Sequence, residues 1–200
     1  MPPSRWVRWC ENFEHGHGSA IYAVAGGTLT GVAEDGSDFT ARLPFDKAYA
    51  GDPLPMVFAE AVTAAVPEDW GILLVRKGGF AMARFAGPSM GESKTGQRHV
   101  QGRTKAGGQS QQRFARRRDN QARQANEAAA DHAARILGTL HGPVVTGGDH
   151  TAVEETLSDP RLRTLTVAGP WLAVPDPRRG VLEQAVIDAC AVQVTVNNSV

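Results

Sequence analysis

The sequence predicts an α/β chain in which a mixed sheet flanked by helices follows an antiparallel β-meander. Three observations carry this expectation. Short strand-like runs before residue 44 are punctuated by Gly26-Gly27 and Asp35-Gly36, pairs that favour tight hairpin turns. Two apolar runs then flank a Lys-Gly-Gly turn at 77–79, and beyond residue 140 strand-like and helix-like segments alternate. A chain of 200 residues is the length of one domain with a sizeable core, and 42% hydrophobic with 21% charged residues is ordinary for a globular protein.

Taken in order, Ala20 to Leu43 reads as three strands, and the proline-broken stretch to Pro55 reads as loop. Met56 to Val66 has the apolar spacing of a short helix that Pro67 ends, which closes an N-terminal region over 1–66. Gly71–Arg76 and Phe80–Phe85 form the second hairpin and open a core region over 71–190. Residues 87–109 carry several glycines and no period, so they read as a long loop, a feature that in compact domains is usually functional. From about Ser110 to Leu140 a helix is expected, because Phe114, Ala122, Ala125, Ala129, Ala133, Ile136 and Leu140 trace one stripe. Its alanine-rich second half can lie on a sheet, and its arginine-rich first half should protrude. Strand 143–146, helix 151–157 with a Thr151/Glu154 capping box, strand 162–167 and helix 181–189 complete the chain.

Composition excludes several function classes. No apolar run approaches the roughly 18 residues of a membrane span, and the opening MPPSRWVRW lacks a signal-peptide core, so a cytoplasmic location is expected. Cys10 and Cys190 have no metal-ligand spacing and read as unpaired thiols; His15-Gly16-His17 reads as a glycine-rich turn. Residues 87–95 (GPSMGESKT) place Pro88 and Ser93 where a phosphate-binding loop needs glycine, which removes nucleotide hydrolysis. Gly147-Gly148-Asp149 could bind an anion or simply turn and cap a helix. The core strands carry no carboxylates for a nuclease metal cluster, so neither metal nor cofactor is expected.

Net charge is zero, but the cations are unevenly spread. Lys94, Arg98, Arg103, Lys105, Arg113, Arg116, Arg117, Arg118 and Arg123 are accompanied by one acid, Asp119, which leaves the remainder of the chain acidic. A local excess of one sign suits contact with a polyanion, since each cation near a phosphate releases condensed counterions. Within this run lies Gly107-Gly108-Gln109. Tandem glycines let backbone approach a ligand closely, glutamine offers a neutral donor and acceptor, and the start of a helix favours negative charge. Such parts suit an oxyanion formed when water attacks an acyl group.

Lys94-Thr95, the basic residues Arg98, Arg103 and Lys105, the Gly-Gly-Gln triplet and the Arg113–Arg118 run together resemble the catalytic domain of the archaeo-eukaryotic class I peptide release factors. Within that superfamily the chain is most similar to the Vms-type branch of stalled-ribosome peptidyl-tRNA hydrolases and to its small bacterial, actinobacterial-type members. The resemblance implies an RNase H-like fold and a catalytic Gln109 hinged on Gly107 and Gly108, with Gln111 as a second candidate. It also implies that the Lys/Arg cluster grips ribosomal and transfer RNA. Because 200 residues leave no room for a separate codon-reading domain, codon-independent rescue by a monomer at the peptidyl transferase centre is expected. Ester hydrolysis and cleavage at the tRNA 3′ end remain alternatives, and a non-catalytic RNA- or ribosome-binding protein is the competing function.

Overall fold

A computed structural model describes residues 1–76, 79–97 and 127–199, which divide between two compact units. The first comprises Met1–Pro67, Ala168–Pro170 and Val186–Val200. Its sheet is antiparallel, in the order β1 (Ala20–Ala25), β2 (Thr28–Ala33), β3 (Asp38–Arg42) and β9 (Gln193–Asn197). The expected meander is therefore present, with positive φ at Gly26, Gly27 and Gly36 in its turns. Two helices complete the unit, α1 (Trp6–His17) and α2 (Pro55–Ala64). α2 is the short helix expected from its spacing. α1 corrects the reading of residues 15–17 as a turn: both histidines belong to the last helical turn, and the chain breaks at Gly18, whose φ is 88°. Trp6, Cys10 and Phe13 recur at helical spacing and are buried, with Trp6 against Phe39 and Phe58 and Phe13 against Phe39. Gly31 leaves space for the Phe39 ring, since a Cβ there would collide with it.

The second unit comprises Glu68–Val167 and Trp171–Ala185. Its mixed sheet has the order β6 (Ser89–Gln97), β5 (Gly79–Ala86), β4 (Asp69–Arg76), β7 (Pro143–Gly148) and β8 (Thr166–Leu172). β4, β5 and β6 pair antiparallel, while β4 and β7 pair parallel, so β4, β6 and β7 all end at the same end of the sheet. Residues 127–137 form α3, which is followed in the chain by α4 (His150–Leu157) and α5 (Arg179–Ala189). Ala129, Ala133, Ile136 and Leu140 of the expected stripe are all buried with Leu73, Val75, Phe80 and Met82. The earlier stripe positions, and the half-helix expected to protrude, lie outside the described residues. The alternate residues Ile72, Leu74, Ala81 and Ala83 are also buried, so both faces of β4 and β5 are covered.

Three expectations for this unit are corrected. Residues 89–97 are the edge strand β6, joined to β5 by the two-residue turn Gly87-Pro88, and not part of a loop over 87–109. The capping residue of α4 is Asp149, whose side chain accepts from the Ala152 N–H at 3.1 Å; Thr151 is already inside the helix. The strand expected at 162–167 begins at Thr166, because Asp159 accepts from the Arg161 N–H and sets a 3-10 turn over Pro160–Leu162 that buries Leu162.

Candidate functional site

Gly107, Gly108, Gln109 and Gln111, with Arg98, Arg103, Lys105, Arg113, Arg116, Arg117, Arg118 and Arg123, lie outside the described residues. Lys94 lies within them, in β6. What the structure describes is the pair of elements between which this run lies. β6 ends at Gln97, opposite Gly79, and the Phe80 ring lies across Gly96, where a Cβ could not fit. α3 runs back over the same end. His132 packs its ring against Phe80, with centroids 5.4 Å apart, while Leu137 and Leu140 reach Gly71 at the opposite end of β4. Residue 127 therefore stands at the end of the sheet where β6 stops.

Ionic contacts hold the C-terminal part of α3 and the residues that follow it. Arg135 pairs with Glu92 of β6. Just beyond the helix Arg84 donates to both Asp69 oxygens, at 2.8 and 3.1 Å, and to the Thr139 hydroxyl at 2.8 Å, while the His141 N–H donates to Asp69 at 2.9 Å. Burial opposes ionisation of Asp69, but the bonds from Arg84 and the His141 N–H outweigh it and hold the carboxyl below its usual range. Lys94 is exposed, opposite Met82 in the β5–β6 register and on the sheet face that α3 covers. Beside it His132 is held below the ordinary histidine value by burial and by the positive charges of Lys94 and Arg135. The seam between β6 and α3 thus holds Lys94 and Arg135 together with the acids Glu92 and Asp131.

Gly147 and Gly148 have a packing explanation. A Cβ at Gly147 would strike the Leu172 carbonyl, and one at Gly148 would strike the Val75 carbonyl. With the Asp149 carboxylate capping α4, this is a turn and a helix cap, one of the two readings the motif allows. Sequence reasoning missed a neighbouring feature, the parallel stack of His150 on Trp171, with ring centroids 3.7 Å apart and 10° between planes. His150 opens α4 and Trp171 lies near the end of β8, so no local spacing signals it. Cys10 and Cys190 are both free, as expected, and no helix among the described residues is long and apolar enough to cross a membrane.

The sequence profile of the Actinobacteria/chloroflexi VLRF1 release factor family matches residues 68–195, a region that begins where the second unit begins. No curated protein matches the chain. A crystal structure of Archaeoglobus fulgidus Pelota aligns with 86% of this chain and 56% of its own, at 8% identity and a TM-score of 0.29, a likeness too low to argue from. The chain thus spans little more than half the length of that protein.

Proposed function

Because the chain belongs to the Actinobacteria/chloroflexi VLRF1 release factor family, we propose that it is a codon-independent ribosome-rescue factor that hydrolyses peptidyl-tRNA on stalled large ribosomal subunits. The observation that carries this reading is the position of Gly107-Gly108-Gln109. The triplet falls inside the matched region and between two anchored elements, β6 and α3, that meet at one end of the sheet. Peptide release needs little from the protein in covalent terms. Water attacks the ester carbonyl carbon, the carbonyl oxygen takes up negative charge, and the tRNA 3′ oxygen leaves with a proton. A backbone N–H freed by the glycine pair donates to the oxyanion, and Gln109 orients the reacting groups without adding a charge that would have to be desolvated. Lys94, Arg98, Arg103, Lys105 and the arginines from Arg113 to Arg123 hold ribosomal and transfer RNA phosphates and bring the triplet to the peptidyl transferase centre. No codon is read in this scheme.

The test uses purified large subunits carrying peptidyl-tRNA and reads two products. Free peptide with an intact tRNA 3′ end is expected. A shortened tRNA would move the reaction from the ester to the RNA phosphodiester, and binding without release would favour the non-catalytic reading.

A further inference from the structure

We propose that His150 and Trp171 form a platform on which an unpaired RNA base stacks; the proposal rests on the RNA-directed reading above and adds a contact outside the basic run. Trp171 packs one part of its ring system against the cluster containing Leu73, Val75 and Val153, which fixes its plane. His150 lies on it almost parallel. The imidazole is exposed, and among the described residues it has no hydrogen bond or ion pair, so the pair presents a flat aromatic surface that is rigid before any ligand arrives. Histidine and tryptophan are both side chains on which splayed bases stack, and a pre-ordered ring loses little entropy on doing so.

Position supports the assignment. β4 leads into β5 on one side and β7 into α4 on the other, so the chain diverges where these two parallel strands end. Open α/β sheets bind ligands outside the carboxyl ends of strands at such a point. β6 ends on the same side and leads directly into the basic run, three strand spacings from β7, or roughly 14 Å. A single strand held at Lys94 of β6 can therefore set one base on His150. The nearest charges are already engaged: Asp149 caps α4, and Arg76, whose stem lies beside Gly148, donates to the Val174 carbonyl at 2.8 Å and faces Asp176 at 3.7 Å.

Tryptophan fluorescence of the full chain, titrated with single-stranded oligoadenylate and with an RNA duplex, tests this. Trp6 and Trp70 are fully buried and Trp9 is partly buried in the first unit, so the part of the quench that Trp171→Phe removes is the part that reports on Trp171. The single strand should quench and the duplex should not. His150→Ala should weaken single-strand affinity about ten-fold, the effect of removing one base stack, and His150→Phe should restore it. Trp171→Phe should keep the affinity and abolish the quench. Unchanged affinity in His150→Ala, or a quench that survives Trp171→Phe, would remove the platform while leaving the release reading intact, since that reading depends on Gln109. Failure to bind single-stranded RNA at all would likewise remove the platform, whereas the release reading stands or falls on peptide release from the large subunit.

Discussion

His132 shows how one residue couples the base of the basic segment to pH. Burial, with the charges of Lys94 and Arg135, holds its folded value below the 6.5 of an unperturbed histidine, so the folded state binds fewer protons than the unfolded one as pH falls through that range. Its stabilising contribution is therefore complete above about pH 6.5 and is lost on acidification through the folded value. His132→Gln should flatten the stability profile in that window, measured by urea unfolding at a series of pH values; an unaltered profile would assign the acid sensitivity to other groups. The two thiols make a second residue-scale case. Burial pushes Cys10 up to about 12 and Cys190 up to about 11. Neither should react with a thiol reagent at about pH 8 in the native state, and both should react in denaturant. That the cysteines are unpaired is legible from their isolation in the sequence. The roles of Gly147 and Gly148 are not, because the carbonyls they avoid belong to Leu172 and Val75, distant in the chain.

At the scale of elements, legibility follows the presence of a buried face. The meander, α2, β4, β5 and the second half of the long helix each alternate apolar and polar residues, or run apolar, and each is found where its pattern predicts it. β6 has the sequence SMGESKTGQ, with no buried residue, because it is the edge strand of its sheet. Pairing with β5 alone makes it a strand, and hydropathy carries no trace of that. β8 extends beyond the expected segment through Pro170, and its far end is not legible because prolines are rare in strands. α1 is hard to read from the sequence although Trp6, Cys10 and Phe13 form a helical stripe, since two glycines near its end suggest a turn. Trp6 is fully buried among the rings of Trp9, Phe39 and Phe58, so Trp6→Ala should destabilise the first unit by about 3–5 kcal/mol in denaturant unfolding. Trp6→Phe should cost much less, because among the described residues the indole N–H has no hydrogen-bond partner and its removal offsets part of the reduced apolar burial. Equal losses would show that the N–H is satisfied. For the basic run, replacing Arg113 and Arg117 by glutamine should flatten the dependence of ribosome affinity on salt by about 0.7–0.9 in log–log slope for each phosphate no longer neutralised. An unchanged slope, or a large fall in melting temperature, would make those arginines structural.

For the whole molecule, family and fold class are both legible. The mixed sheet flanked by helices follows from the alternation of segments after residue 140, and the family from a triplet set in a one-sign charge run. Less legible is the return of the C-terminus to the first unit. β9 pairs with β3, and the Met1 ammonium group donates to the Val192 carbonyl at 2.7 Å, so a region expected to close at residue 66 draws its fourth strand from the far end of the chain. The central claim concerns one side chain in the second half of the molecule. A contact made mainly in the transition state changes the rate of the chemical step and leaves ground-state affinity nearly untouched. The most direct measurement is single-turnover peptide release from stalled large subunits by Gln109→Ala and Gln111→Ala, with ribosome affinity measured on the same samples. Loss of release in Gln109→Ala at unchanged affinity, with Gln111→Ala still active, is the predicted result; full release by Gln109→Ala, or a loss explained entirely by weakened binding, would contradict it.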